Sequence, residues 1–416
     1  MKFAHLADCH LGAWNKTIHK ENNLQAFETT IQHCITENVD FIIIAGDLFH
    51  SNIPDFEIAD KAFEILKKCK DNGIPVYMVY GSHDRGLQKG TIDLLHTSGI
   101  VRHLPQPELY HPKFVKDEKT GALISGIDGK SGSVESEVYA HINRGYLTAQ
   151  EGFKIFVYHS TIKDFMPWSQ RMIPGISLYC LPKGFDYYAG GHIHSKSVNH
   201  EEDYSNIAMA GCLYGSNYAD LEGTAKGDLK GFNIVTFDGE VTSIDFIPIN
   251  VGGFFFKEFN VDGLHPNEVN HLFEEFNEDV MGEIVLIQLK GTLKGGDVNQ
   301  IAIKEFRESL KLDGAVDVNI SISRLKNPET SNTMVVYENE STYDIESRIF
   351  GEQSVKFNEK HPGVYDNLFG ETGGKGEFMA TDLLDVLRQP KYAKEKKEDY
   401  QNRILKESVK VLGVKE

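Results

Sequence analysis

Five short segments carrying histidine or aspartate each follow a β-rich run: Asp8 with His10, Asp47 and His50 in GDLFH, His83 and Asp84 in GSHD, His159 in YHS, and His192 with His194 in GGHIH. The runs before them are Phe3 to Ala7, Phe41 to Ala45, Val76 to Tyr80, Lys154 to Tyr158 and Asp186 to Ala189. Rich in Ile, Val, Phe or Tyr and closed by Gly, Asp or His, they predict strands. Between the first two, Leu24, Phe27, Ile31 and Cys34 recur at helical spacing; between the next two, Ile58, Ala62, Leu66 and Cys69 do the same before Gly73. The pattern is that of β-α-β units in a layered α/β domain. In such a sheet, ligands bind in the crevice at the carboxyl ends of the strands, so residues far apart in the chain converge there.

A single histidine or aspartate after a strand is most often a cap or turn residue. Five segments in series answer no structural need, and clustered carboxylates repel one another unless cations compensate them. Asp8 and His10, two apart on an extended segment, are expected on one side with Cys9 on the other, and His192 and His194 are related in the same way. Gly46, Gly81, Gly190 and Gly191 permit sharp turns at the strand ends. Oxygen and nitrogen donors without sulfur suit manganese, iron or zinc better than calcium.

The chain of 416 residues is long enough for two or three cores, and its net charge of −18 repels nucleic acid and anionic membranes, so a polyanionic substrate must be held locally. No window approaches 18 consecutive apolar residues, and the opening MKFAHLADCH enters a strand pattern without a leader. The five scattered cysteines, never in C-x-x-C spacing, fit reduced thiols. A cytoplasmic, reducing location without a membrane is expected. Further strands near Ile207 to Ala210, Gly231 to Phe237 and Val241 to Ile247, with little helix between them, are expected to add antiparallel members to the sheet. After the GGFFF run at Gly252, helix (Pro266 to Asn277), strand (Ile284 to Lys290), helix (Asp297 to Leu312) and strand (Val316 to Ser323) make a second domain over 251–325. A glycine-rich linker at 326–376 leads to two amphipathic helices within 377–416. One carries Met379, Leu383 and Leu387; the other, beyond Pro390, carries Leu405, Val409 and Leu412. Arg388 to Glu416 is +4 while the rest of the chain is −22.

The series D-x-H, GD, G-x-HD, H and GH-x-H resembles the calcineurin-like metallophosphoesterases, in their order, over about the first 200 residues. Within that superfamily, MKFAHLADCHLG at Met1 to Gly12, GDLFHSNIP at Gly46 to Pro54, the second domain and the helix pair resemble the DNA double-strand-break repair nucleases of the meiotic recombination eleven or SbcD type. The resemblance implies a metallophosphoesterase sheet sandwich over 1–250, flanked by helices, with a small α+β capping domain. It implies two manganese ions, magnesium, iron or zinc remaining open. Asp8, His10 and His194 would hold one, His159 and His192 the other, and Asp47 would bridge them. The third motif usually supplies an Asn ligand, and here that position is Ser82, a shorter and weaker donor, so the second ion is expected to bind more weakly. His83 would stabilise the phosphate or protonate the leaving oxygen, with Asp84 orienting its other nitrogen, and His50 matches a second histidine tied to exonuclease action.

By the same resemblance the chain would be a manganese-dependent nuclease, a 3′-5′ exonuclease on duplex ends and an endonuclease on single strands. It would form a homodimer through helices such as Phe56 to Asp71. Its helix pair would dock on the coiled coil of an SMC-like (SbcC-type) ATPase in a nucleoid-associated heterotetramer, since this chain has no phosphate loop of its own. Lys290, Lys294, Lys304, Arg307 and Lys311 of the cap stand as either a solvated face or phosphate contacts. A phosphatase or phosphodiesterase for small substrates is the competing enzyme reading, and a non-catalytic scaffold the other.

Overall fold

The computed structural model describes residues 1–84, 90–106, 113–129, 138–139, 142, 144–166, 175–326, 350–351, 375–392 and 395–412. Residues 1–328 form one compact unit and 329–416 a second. The first unit begins with the alternation expected from sequence: β1 (Lys2–Leu6), α1 (Thr17–Thr36), β2 (Phe41–Ala45), α2 (Phe56–Asp71), β3 (Val76–Val79), α3 (Thr91–Thr97) and β4 (Arg102–His103). These strands pair in parallel. A second series follows: β5 (Val115–Lys116), β6 (Leu123–Ile127), α4 (Arg144–Thr148), β7 (Lys154–His159), β8 (Tyr187–Gly191), β9 (Ser197–Glu201) and β10 (Tyr204–Met209). After α5 (Tyr218–Ala225), the chain returns as β11 (Gly231–Phe237) and β12 (Val241–Pro248).

The strands sort into two six-stranded sheets, β12-β11-β1-β2-β3-β4 and β5-β6-β7-β8-β10-β9, the sandwich that the resemblance implied. The antiparallel members β11 and β12 lie where expected, but β10 runs parallel to β8, and it is β9 that pairs antiparallel to it. Alternation decides the packing. Phe3, Phe41, Ile43 and Ala45 point from the first sheet onto Ile155, Val157, Tyr187 and Ala189 of the second, forming the inter-sheet core. The neighbours Ala4, Ile42 and Ile44 face Phe27 and Ile31 of α1 and Ile58, Ala62 and Leu66 of α2. The outer face of the second sheet buries Phe156, Tyr158 and Tyr188 under Leu147 and Leu178. Both parallel sets end on the same side, where all five histidine- and aspartate-bearing segments leave their strands.

The cap is a parallel sheet in the order β13 (Gly253–Asn260), β14 (Glu283–Thr292), β15 (Asp317–Lys326), with α6 (Pro266–Glu274) and α7 (Ile303–Leu312) as crossovers. The GGFFF run therefore opens the first cap strand, which begins at Gly253. Its Phe254 and Phe256 pack on the helix-side core of the first domain, while Phe255 and Phe259 enter the cap core. Serving two cores, it carries apolar side chains on both faces and hides the period-2 signal. α7 is shorter than expected because only Ile303 onward is α-helical.

The linker positions 327–349 and 352–374 lie outside the described residues. In the second unit, α8 (Lys375–Arg388) and α9 (Lys397–Leu412) pack against one another. Arg403 clamps the connection, donating to Glu395 (2.9 Å) and to the side chain of Gln389 (2.6 Å), with its guanidinium 4.1 Å from the Tyr392 ring centroid. Among the described residues, no helix is long and apolar enough to cross a membrane.

The cap core rests on the stacked rings of Phe273 and Phe306, 4.1 Å apart at 6° and nearly fully buried. Phe306→Ala should cost about 3–5 kcal/mol in equilibrium unfolding; a loss below about 1 kcal/mol would show that the cap core is not built as described.

Candidate metal centre

β1 and β2 do not stop cleanly; their exits run on side by side as irregular backbone. The Asp8 N–H donates to Gly46 O (3.1 Å), His10 N–H to Asp47 O (3.0 Å) and Leu11 N–H to Leu48 O (2.9 Å), while His50 N–H returns to Leu11 O (3.0 Å). This ladder holds residues in the left-handed region: Asp8 at φ 50°, His10 at 44° and Asp47 at 53°. Each such non-glycine residue costs roughly 1–2 kcal/mol, tolerable only where the surroundings over-determine it. The expectation that Asp8 and His10 share a side of an extended strand is thus corrected: both sit in irregular backbone at positive φ, and they converge because the backbone curls. His192, at φ 93°, departs from extended geometry in the same way.

Glycine is required where elements meet. A Cβ on Gly46, itself at φ 87°, would stand 2.3 Å from His159 Nδ1, and one on Gly81 would stand 2.0 Å from Asp47 Oδ1.

The structure brings Asp8, His10 and His194 together, with ligand atoms within 4.8 Å of one another, and Asp8, Asp47 and His159 likewise. His10 Nε2 lies 3.1 Å from His194 Nε2, and Asp47 Oδ2 lies 3.1 Å from His159 Nε2 and 3.7 Å from His10 Nε2. The outer nitrogens are engaged: His159 Nδ1–H donates to Ala45 O (2.8 Å), and His194 Nδ1–H to Asp220 Oδ2 (2.8 Å). In a neutral ring that arrangement would turn the Nε2 lone pair inward, as metal-ligating imidazoles require. The His192 ring stands 5.2 Å from that of His159, and its backbone N–H donates to both Asp8 carboxylate oxygens (2.9 and 3.0 Å). His192 belongs to none of the groups of three. Ser82 is exposed, with its hydroxyl 3.4 Å from Asp47 Oδ2.

Burial sets the electrostatics. Asp8 is fully buried and its carboxyl is pushed above its ordinary value by desolvation. Burial also pushes His10 down to about 3 and, together with the His159 charge, His192 down to about 4. Desolvation would lower His159 too, yet the Asp47 carboxylate overrides it and raises the ring to about 10, while His159 in turn outweighs burial and holds Asp47 below the usual carboxylate range. Burial opposes a charge on His194 most strongly, but the Asp220 hydrogen bond together with the Asp8 and Asp220 carboxylates outweighs it and raises the ring.

Asp84 departs from its expected role. Its carboxylate accepts the backbone N–H groups of Asp47 (2.8 Å), Gly81 (2.9 Å) and Phe49 (3.2 Å), and burial with the Asp47 charge raises it to about 7. It knots the second and third loops together; the orienting acceptor for His83 Nδ1 is instead the carbonyl of His50, at 2.9 Å. The His50 ring stacks on His83 with centroids 4.8 Å apart, and its Nδ1 faces His10 Nδ1 at 3.4 Å. His83 itself is exposed. Asp220 is the residue that sequence reading missed: in SNYAD it reads as helix capping, and only the fold carries it to His194.

Two buried carboxylates, a buried His159 Nε2 without a hydrogen bond, and facing Nε2 atoms on His10 and His194 fit divalent cations.

The calcineurin-like phosphoesterase family matches residues 1–196. Over 310 residues the chain is 25% identical to the DNA double-strand break repair protein Mre11 of Sulfolobus acidocaldarius, covering 70% of this chain and 76% of that one. The Mre11 of Sulfurisphaera tokodaii is 27% identical over 279 residues, covering 66% and 69%. That of Saccharolobus solfataricus is 30% identical over 256 residues, covering 60% and 64%.

Gly46→Ala should destabilise the protein by at least about 2 kcal/mol and displace His159, so that manganese no longer protects the fold in thermal melts. A variant that melts like the wild type and is still stabilised by manganese would contradict the close approach described.

Proposed function

We propose that this chain, whose residues 1–196 match the calcineurin-like phosphoesterase family, is a manganese-dependent DNA nuclease that processes double-strand breaks. The observation that carries this reading beyond phosphoester hydrolysis in general is the length of the similarity. It extends over 310 residues, past the phosphoesterase domain into the cap, to a protein named for double-strand break repair. A small-substrate phosphodiesterase has no use for such a cap.

Asp8, His10 and His194 would hold one ion, His159 and His192 the other, with Asp47 between them. Bound there, the ions would neutralise phosphate charge and bring a water to nucleophilic strength near neutral pH. The protein's own part is to hold this set rigid: Asp84 ties the Asp47 and Gly81 backbones, and Ala45 O and Asp220 fix the rings of His159 and His194. His83 Nδ1–H is held by His50 O, which leaves Nε2 as the atom that meets substrate. There an imidazolium donates to a phosphate oxygen or gives its proton to the leaving oxygen. His50, stacked on His83 and facing His10, supports both rings. The concentrated positive centre answers the net charge of −18.

Ser82 reaches toward Asp47 and not into a ligand position of its own, so the ion at His159 and His192 binds more weakly than the ion at His10. Attack on duplex ends from the 3′ side and cleavage of single strands follow the resemblance, as do dimerisation, cytoplasmic location beside the nucleoid and assembly with an SMC-like ATPase. The docking surface for that ATPase would be the α8-α9 pair, where Leu387, Leu405 and Leu412 are exposed and Met379, Leu383 and Val409 half-buried. In the cap, Lys290 and Lys311 are paired with Glu258 and Glu308, which leaves Lys294, Lys304 and Arg307 as the better phosphate contacts.

End-labelled duplex DNA and bis-p-nitrophenyl phosphate should both be hydrolysed in manganese and spared in chelator. Asp8→Ala and His83→Gln should each lose at least about 100-fold in rate, with the circular dichroism spectrum unchanged. Full activity in either variant would overturn the site, and hydrolysis of the small diester with DNA untouched would move the reading to a small-substrate enzyme. Ser82→Asn should tighten the weaker manganese site about ten-fold in calorimetric titration; two equally tight sites in the wild type would contradict the role given to Ser82.

A further inference from the structure

His194 stands in the loop after β8, and what orients it comes from elsewhere in the chain. Its Nδ1–H is taken by Asp220 Oδ2 at 2.8 Å. The same oxygen accepts Ser216 N–H (3.0 Å), Ser216 Oγ–H (3.2 Å) and Asn217 Nδ2–H (2.8 Å), so it is fixed by the start of α5. The rest of that eight-residue helix is tied to the cap. Tyr218 Oη–H donates to Ile287 O of β14 at 2.8 Å. The buried Glu222 carboxylate takes Arg324 of β15 through two N–H groups, at 3.1 and 3.3 Å. The Lys226 ammonium lies 4.3 Å from the ring centroid of Phe256 in β13. All three strands of the cap sheet therefore touch the helix that holds the histidine.

We propose that Asp220 is a positioning residue for His194, and that α5 makes the setting of this ligand depend on the placement of the cap. The nitrogen that an imidazole offers to an ion is decided by what holds the other nitrogen. With Nδ1–H on Asp220, Nε2 faces His10 Nε2 at 3.1 Å; without it, tautomer and ring angle are free. Helix capping explains only part of Asp220: Asn217 Oδ1 accepts the Asp220 N–H at 3.0 Å as the N-cap and Asp220 accepts Ser216 N–H in return, but the same oxygen also takes His194 Nδ1–H from outside the helix. A shift of the cap, by whatever it contacts, would be passed through Tyr218 and Glu222 to one metal ligand. The inference rests on the reading that Asp8, His10 and His194 hold an ion.

The test is calorimetric titration of manganese into the metal-free full-length chain, with melting in chelator recorded for each variant. Asp220→Ala should weaken one class of sites about 10- to 100-fold, and Asp220→Asn, which keeps an acceptor oxygen, should recover most of it. Tyr218→Phe and Arg324→Ala, which leaves Glu222 its partner Lys226, should weaken the same class about 5-fold without changing the chelator melt. Unchanged affinity in Asp220→Ala overturns the positioning role. A loss in Asp220→Ala with wild-type affinity in both cap-side variants overturns the dependence on the cap. If Asp220→Ala does not fold, Asp220→Asn and the cap-side variants decide. A wild-type chain that takes up no manganese refutes the metal reading itself, and this inference with it.

Discussion

The burial of Asp8 and Asp47 in one site is the constraint on which the rest of the structure depends. A carboxylate removed from water must be neutralised, paired or given a cation, and two side by side raise the demand. His159 answers part of it, its Nε2 3.1 Å from Asp47. The outer nitrogens of His159 and His194 are engaged by Ala45 O and Asp220, which turns their inner nitrogens into the site. Such a cluster has no value to folding. The two sheets, the backbone-pinned exits of β1 and β2 and the Asp84 contacts hold it in place, and its donor set fits divalent cations.

The sheets explain how so much polarity is carried on a stable scaffold. Alternation along β1 and β2 commits one set of side chains to the inter-sheet core and the other to the helices, leaving only the strand ends for polar groups. The ends of both parallel sets converge, so Asp8 and Asp47 from the first sheet meet His159 from the second. Left-handed backbone at Asp8, His10 and Asp47 is the local cost of curling those ends toward one point.

Much of this was legible in the sequence, because strands closed by Gly, Asp or His are local signals. β2 spans the residues expected, and β1, β3, β7 and β8 lie within two residues of their expected bounds. What escaped is non-local. The place of β10, parallel beside β8, depends on pairing between distant strands, and β13 serves two cores at once, so its phenylalanines show no alternation. In the site, the residue types were readable, but not the irregular backbone that aims Asp8 and His10. Nor could spacing show whether Asp84 takes its neighbour's ring or three backbone N–H groups. Asp220 lay hidden for a similar reason: a carboxylate in a helix's first turn looks like a cap until the fold sets it against His194.

The β13-β14-β15 sheet is locked to the first domain by polar groups as well as by phenylalanines. Lys16 and His19 of the first domain meet the Asp317 carboxylate of β15 at 2.8 and 3.0 Å, and they outweigh burial to hold it below the usual carboxylate range. The β13-β14-β15 sheet, α5 and the His194 ring are thus joined through a continuous set of contacts. The central claim is that the site at Asp8 and Asp47 is built around two ions. Anomalous diffraction from manganese-soaked crystals tests it most directly: the account predicts two peaks, one among Asp8, His10 and His194, the other beside His159 and His192, with Asp47 between them. A single peak, or peaks away from the buried aspartates, would contradict it.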